Sequence, residues 1–191
     1  SLNLQQSTDV DFLKYEGPTD PTMTGSIGNI FTYKNFRLNV FVTYSGGNKV
    51  RLDPMFRSSY SDLDATPKDF KNRWALPGDE KVTDIPVLAS SFERNQYANL
   101  SIAYNSYNYS TARIASGAFV RLKEVSLSYD FPKEWLRNTP ISSAGLKVQG
   151  TNLALLYADS KLNGQDPEFF RSGGVSAPVP RQFTLTLKVG F

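Results

Sequence analysis

The chain has 191 residues, of which 40% are hydrophobic and 13% aromatic, and its formal net charge is +3. It contains neither cysteine nor histidine, which excludes disulfides, thiolate metal sites, Ser-His-Asp triads and histidine-ligated zinc within this chain. The basic residues are scattered, so no nucleic-acid partner is expected, and no apolar run is long enough for a transmembrane helix. Ten tyrosines and thirteen phenylalanines, against two methionines, favour a β-rich fold.

The first two predicted strands form a hairpin. Residues 24–33 and 36–44 each alternate between apolar and polar side chains, as expected for strands with two different faces. Lys34 and Asn35 lie between them and predict a two-residue hairpin turn, in which Asn35 tolerates a positive φ.

Two further strands are predicted in the second half of the chain, over residues 119–131 and 144–157. The first of these alternates regularly. In the second, the apolar phase slips by one residue, which predicts a β-bulge near residues 150–152.

The last predicted strand, residues 182–191, has the clearest pattern. Every odd position is apolar and every even position is polar or small, and the length suits a tilted strand that crosses a bilayer. We predict that the odd positions face lipid and belong to the strand on which barrel assembly depends. These positions are Phe183, Leu185, Leu187, Val189 and Phe191.

The connections between the predicted strands alternate in length. Residues 34–35 and 132–143 are short, whereas residues 45–117 and 158–181 are long. Outer-membrane barrels have short periplasmic turns and long extracellular loops, and aromatic residues flank their apolar band. The pattern therefore predicts an all-β fold of antiparallel transmembrane β-barrel strands, with the two long segments as extracellular loops.

Five strands cannot close a membrane barrel, since the smallest barrels have about eight. We therefore expect residues 1–191 to be the C-terminal segment of one larger barrel domain, closed with another chain or with sequence upstream. The alternative is a soluble β-sandwich that acts as a carbohydrate-binding or adhesion module, because sandwich strands also alternate.

Several motifs, in this order, resemble the end of SusC/RagA-type TonB-dependent outer-membrane transporters. The resemblance spans about residues 16–191. The motifs are Gly25-Ser26-Ile27-Gly28-Asn29, Tyr33-Lys34-Asn35-Phe36, Gly47-Asn48-Lys49, Arg73-Trp74, Pro77-Gly78-Asp79, the segment 119–129, Gly150-Thr151-Asn152-Leu153, Asp166-Pro167-Glu168 and the segment 178–185.

The resemblance implies a barrel of about 22 strands with an N-terminal plug. It implies a location in the outer membrane of Gram-negative Bacteroidota, and import of glycans, oligosaccharides or peptides. The partners it implies are the rest of the barrel, a SusD-like surface lipoprotein, TonB through a missing N-terminal part, and membrane lipid. This chain would supply barrel wall, loops and the closure strand, without cofactors and without enzymatic activity.

The predicted loops hold the candidate contact residues. Aromatic side chains there could contact substrate or the lid lipoprotein, or could form the core that a long loop needs for itself. They are Trp74, Tyr97, Tyr104, Tyr107 and Tyr109.

Two groups of acidic residues are candidates for a cation site or a catalytic site. Asp62, Asp64 and Asp69 could bind a cation, but a solvated turn is the better interpretation of their spacing. Asp166 and Glu168 flank a proline, which favours a turn over a pair of glycosidase acids. No catalytic residue and no metal site is predicted.

Overall fold

The computed structural model of the chain describes residues 11–57, 65–171, 174–175 and 178–191. Its strands are β1 (Met23–Tyr33), β2 (Phe36–Gly46), β3 (Lys49–Arg51), β4 (Ile114–Ser116), β5 (Phe119–Asp130), β6 (Ser143–Ala158), β7 (Phe170–Arg171), β8 (Gly174–Val175) and β9 (Gln182–Gly190). Its α-helices are α1 (Ser91–Gln96), α2 (Leu100–Asn108) and α3 (Lys133–Leu136). Short 3₁₀ helices cover Lys68–Asn72, Asp79–Lys81, Thr111–Arg113 and Ser160–Leu162. Within these ranges, no helix has the length and apolar character needed to span a membrane.

The five long strands form one antiparallel sheet in the order β1-β2-β5-β6-β9. The predicted antiparallel fold of about five strands is therefore confirmed. The four remaining strands are two or three residues long and form two separate ladders, β3 with β4 and β7 with β8. None of these four has the length of about nine to eleven residues that a bilayer crossing requires.

The first hairpin closes with Tyr33 opposite Phe36, so the turn has the two residues predicted for it. Within this turn the residue with the positive φ is Lys34, at 51°, although Asn tolerates such a φ more readily. Asn35 is held differently, because its carbonyl oxygen accepts a hydrogen bond from the Asp130 backbone N–H at 3.0 Å.

The bulge predicted near residues 150–152 is confirmed. The pairing of β5 with β6 shifts register between Leu122 and Glu124, opposite residues 151–154, and Asn152 has a φ of 53°. A second shift lies between Val120 and Arg121. After these shifts Ala154 lies opposite Leu122, Leu155 opposite Arg121 and Tyr157 opposite Val120.

The described residues divide into two compact units. The sheet unit comprises residues 18–50, 116–171, 175 and 178–191, and the loop unit comprises residues 11–17, 51–57, 65–115 and 174. That residues 1–191 belong to a single barrel domain stays a prediction.

The loop unit has its own small core. Met55, Phe56 and Phe70 are buried there, and helix α2 packs two tyrosines against them. The sheet unit, by contrast, leaves large apolar side chains of every long strand exposed. The described residues of the sheet unit form no second sheet of more than two strands, whereas a β-sandwich requires a second layer that covers the first.

Candidate functional site: a two-faced sheet and its long loops

One face of the five-stranded sheet is apolar from edge to edge. The register places apolar side chains directly opposite one another, and residues opposite one another share a face. One such row crosses all five strands and consists of Phe31, Leu38, Leu127, Val148 and Leu185. A second row consists of Tyr33, Phe36, Tyr129, Leu146 and Leu187. We call this surface the apolar face.

The opposite face is polar along the same strands. Its rows alternate with those of the apolar face, because successive side chains of a strand point to opposite sides. One row consists of Ile30, Asn39, Ser126, Gln149 and Thr184, in which Ile30 on the edge strand β1 is the one apolar member. The next row consists of Thr32, Arg37, Ser128, Lys147 and Thr186. We call this surface the polar face. On it, the Asn39 amide donates a hydrogen bond of 3.2 Å to the Glu124 carboxylate.

The apolar face is exposed even on the central strands. Leu127 on β5 and Val148 on β6 are 45% and 49% exposed, although strands flank both of them. Soluble proteins rarely expose contiguous apolar patches larger than a few hundred Å². A face of this extent therefore calls for an apolar environment outside the sheet unit.

The five residues assigned to the lipid side lie at the C-terminal edge of this face. Phe183, Leu185 and Leu187 are 65–75% exposed, Val189 is 39% exposed, and Phe191 follows the end of β9 with 89% exposure. Strand β9 pairs with β6 along one side only within the described residues. Their contact with lipid stays a prediction.

A buried arginine on the polar face binds the second long loop. Nη2 of Arg121 lies 2.5 Å from both carboxylate oxygens of Asp166, and its Nε lies 3.1 Å from Oε2 of Glu168. The Arg121 side chain is only 7% exposed, and its guanidinium carbon lies 5.5 Å from the centre of the Phe119 ring. We call these residues the Arg121 cluster.

The Arg121 cluster explains the Asp166-Pro167-Glu168 motif. Both carboxylates point to one cation, and Asp166 also accepts the backbone N–H of Glu168 at 3.1 Å. The arrangement is a loop anchored to the sheet by ion pairs.

Two of the candidate loop tyrosines are part of the core of the loop unit. The Tyr104 ring stacks on Phe56 at 4.3 Å, and Tyr107 meets the same ring edge-on at 5.5 Å. The Tyr104 hydroxyl also accepts the Ala89 N–H and donates to the Val87 carbonyl, each at 2.8 Å. Burial raises the pKa of the Tyr107 phenol above its ordinary value, and the nearby Arg113 charge opposes this shift.

The other candidate aromatics are placed differently. Tyr97 and Tyr109 are 58% and 64% exposed, and the Arg51 guanidinium lies 5.6 Å from the centre of the Tyr109 ring. Trp74 is anchored, because its indole N–H donates to the Thr83 carbonyl at 2.6 Å. That any of the five contacts a substrate or a lid protein stays a prediction.

The Pro77-Gly78-Asp79 motif forms a tight turn in the loop unit. The Asp79 carboxylate accepts the backbone N–H groups of Ala75 at 2.8 Å and Leu76 at 2.9 Å, and these bonds lower the pKa of that carboxyl. Gly78 has a φ of 107°, which side chains other than hydrogen rarely permit.

The predicted acidic loop cluster falls largely outside the described residues. Asp62 and Asp64 lie in the gap, whereas Asp69 is described and has its carboxylate 3.8 Å from the Arg113 guanidinium. The described residues contain no group of three or more acidic side chains that could hold a metal ion.

Two structural residues of the loop unit were missed at the level of the sequence. Asn108 at the end of α2 is buried, and its amide oxygen accepts the N–H groups of Met55 at 2.9 Å and Phe56 at 3.1 Å. Its amide nitrogen donates to the Phe56 carbonyl at 2.8 Å. Arg113 is also buried and donates to the Asp53 carbonyl at 2.7 Å. A lone Asn or Arg in a polar loop carries no sequence signal that separates it from its exposed neighbours.

Replacing Asn108 by leucine should open the loop unit. The change leaves three buried backbone groups of residues 55 and 56 without their partner, at about 1–3 kcal/mol each. Hydrogen exchange of the Met55 and Phe56 amides in the full-length protein should accelerate by at least about tenfold. Asn105→Leu, one turn earlier on α2, is the control and should leave both amides protected. Unchanged exchange in Asn108→Leu would contradict the role given to this side chain.

No family model matches the chain, but two curated relatives do. TonB-dependent receptor P3 of Formosa agariphila is 28% identical over 155 residues, covering 81% of this chain and 14% of the relative. TonB-dependent receptor P26 of the same organism is 25% identical over 183 residues, covering 90% of this chain and 17% of the relative. The chain thus spans about a sixth or less of the length of these relatives.

Solved structures of the RagAB peptide importer share the fold. The 'open-open' state matches with a TM-score of 0.64 and the 'closed-closed' state with 0.65, each covering 93% of this chain and 18% of the solved chain at 21% identity. The findings support a segment of a SusC/RagA-type TonB-dependent transporter. The family predicted from the sequence motifs is confirmed. The relatives are named as receptors or importers rather than enzymes.

Proposed function

We propose that this segment supplies wall strands, extracellular loops and the closure strand of a TonB-dependent importer in the outer membrane. The apolar face lies against lipid, and the polar face lines the interior of the barrel. The connection between β1 and β2 and the one that contains α3 lie on the periplasmic side. The two long segments, 45–117 and 158–181, lie on the extracellular side.

The observation that carries the proposal is the alignment of five apolar phases on one exposed face. Each strand alternates by itself, but only the register determines whether the five apolar phases meet. Here they meet in unbroken rows from Phe31 on β1 to Leu185 on β9. A bilayer accepts such a face, provided that the backbone groups of β1 and β9 find partners on further strands of the same barrel.

The imported cargo is a glycan, an oligosaccharide or a peptide. The relatives are named TonB-dependent receptors, and the solved neighbours are named peptide importers, which supports import across the outer membrane. We infer a SusD-like lipoprotein as the partner on the extracellular side and TonB as the source of energy. Tyr97 and Tyr109 are the exposed aromatic side chains of the loop unit that we assign to contact with substrate or lipoprotein.

Spin-label accessibility in the reconstituted full-length transporter tests the assignment of the two faces. The segment has no cysteine, so single cysteines can be placed at Leu185 and Leu187 on the apolar face and at Thr184 and Thr186 on the polar face. Labels at residues 185 and 187 should collide preferentially with lipid-soluble oxygen. Labels at residues 184 and 186 should collide preferentially with a water-soluble nickel chelate.

The same measurement distinguishes the soluble sandwich from the barrel. In a sandwich, the side chains of Leu185 and Leu187 would pack in a core, so neither reagent would reach the labels. That result, or equal oxygen access at all four positions, would overturn the proposal.

A further inference from the structure

An aromatic cluster covers one end of the apolar face. The rings of Phe36 and Tyr129 lie 4.6 Å apart between centroids, and Tyr129 and Phe131 meet edge-on at 5.4 Å. Helix α3 adds Trp135, whose ring lies 6.4 Å from Tyr129 and 6.1 Å from Phe131. Despite these contacts Trp135 is 65% exposed, so one side of the indole remains open.

Basic residues lie in the short connections at the same end of the sheet as this aromatic cluster. Nζ of Lys34 lies 5.4 Å from the centre of the Tyr33 ring, and Tyr33 belongs to the apolar face. Lys133 and Arg137 are exposed and lie four residues apart around α3, so they share one side of that helical turn. Trp135, two residues from each, points away from that side toward the rings.

The acidic residues at this end of the sheet are fewer than the basic ones. Asp130 follows the phase of Ser126 and Ser128, and its row continues through Gly145 to Lys188 on the polar face. Glu134 is the acidic residue of α3 itself. The two short connections at this end, residues 34–35 and 132–142, thus carry the basic residues Lys34, Lys133 and Arg137 against the single acidic residue Glu134.

We propose that this end of the sheet is a docking site for the headgroup of an anionic phospholipid. Trp135 and the aromatic cluster contact the boundary between headgroup and acyl chain, where amphipathic rings are favoured. Lys34, Lys133 and Arg137 bind the phosphate and its net negative charge, as basic clusters at membrane surfaces do. The inference rests on the proposed function, since it requires the apolar face to lie in a bilayer.

The test uses the full-length transporter in nanodiscs of mixed phosphatidylcholine and phosphatidylglycerol, followed by native mass spectrometry of the lipids that stay bound. Wild-type protein should retain phosphatidylglycerol in preference to phosphatidylcholine. The combined variant Lys34→Gln, Lys133→Gln, Arg137→Gln should lower this preference by roughly tenfold or more, because each basic residue near an anionic surface contributes about fivefold. Trp135→Ala should lower the retention of both lipids.

Arg181→Gln is the matched control, since this exposed arginine precedes β9 at the opposite end of the sheet. It should leave the phosphatidylglycerol preference unchanged. Equal retention of both lipids by the wild type, or an undiminished preference in the triple variant, would overturn the headgroup site. The spin-label measurement separates the two proposals. If the label at residue 185 is accessible to lipid-soluble oxygen, loss of the headgroup site leaves the barrel assignment intact. If that label is inaccessible, the barrel assignment itself is overturned.

Discussion

Replacing both Leu185 and Leu187 by aspartate should prevent the full-length transporter from assembling in the outer membrane. Both side chains belong to the apolar face, in rows that cross every long strand of the sheet. A charge on the lipid face near the middle of a bilayer costs up to a few kcal/mol, with carboxylates toward the lower part of that range. Two such charges on one strand would therefore cancel a large part of the net free energy of unfolding that is typical of proteins.

The measurement is heat-modifiable migration of the barrel on gels, combined with recovery from the outer-membrane fraction. Thr184→Asp with Thr186→Asp is the matched control, because these residues carry the polar face of the same strand. The control should assemble, since its carboxylates face the interior of the barrel. If both double variants assemble equally well, or both fail, the assignment of the apolar face to lipid is contradicted.

The faces of the sheet could be predicted because a strand has a strict period of two. In residues 182–191 alternation alone places Leu185 and Leu187 on one side, and the structure keeps them there. The bulge near Asn152 could also be predicted, since a one-residue slip in an alternating pattern marks an extra residue in the strand. The pairing of β2 with β5 is also what antiparallel order along a barrel wall predicts, although a long insertion separates the two strands in the sequence.

The loop unit could not be predicted in the same way. Its core joins Phe56 to Tyr104 and Tyr107 across a gap of about fifty residues of polar sequence, with no periodic pattern to align them. For this reason the sequence left two interpretations of the loop tyrosines open, namely contact with a ligand and packing within the loop. The structure separates them by exposure, with Tyr104 and Tyr107 in the core and Tyr97 and Tyr109 outside it.

The ion pairs of the Arg121 cluster on the polar face could not be predicted from the sequence either. Arg121 lies within a strand pattern that marks it as one more polar side chain, and Asp166 stands 45 positions away in a loop. Alternation predicts which face Arg121 occupies but not what it meets there. An ion pair between a strand and a distant loop depends on the path by which the loop returns to the sheet. The length of the loop does not determine that path.

Replacing Arg121 by methionine should release the second long loop from the sheet. Arg121 and Asp166 have side chains only 7% and 11% exposed, and removing one partner of a buried pair costs about 3–5 kcal/mol. Glu168 is 40% exposed, so water screens its charge and its share is smaller. We expect trypsin to cut the full-length protein within residues 158–181, which include Lys161 and Arg181, roughly a hundredfold faster.

A triple variant separates a lost ion pair from a lost side-chain volume. Adding Asp166→Asn and Glu168→Gln to Arg121→Met removes the two uncompensated carboxylates, so cleavage should slow again relative to the single variant. Lys123→Met, two residues further along β5, controls for the loss of one positive charge and should cleave at the wild-type rate. If Arg121→Met resists trypsin as well as the wild type does, other contacts hold the loop. If instead the triple variant is cut as fast as the single one, what the loop loses is the packing of Arg121 rather than its charge.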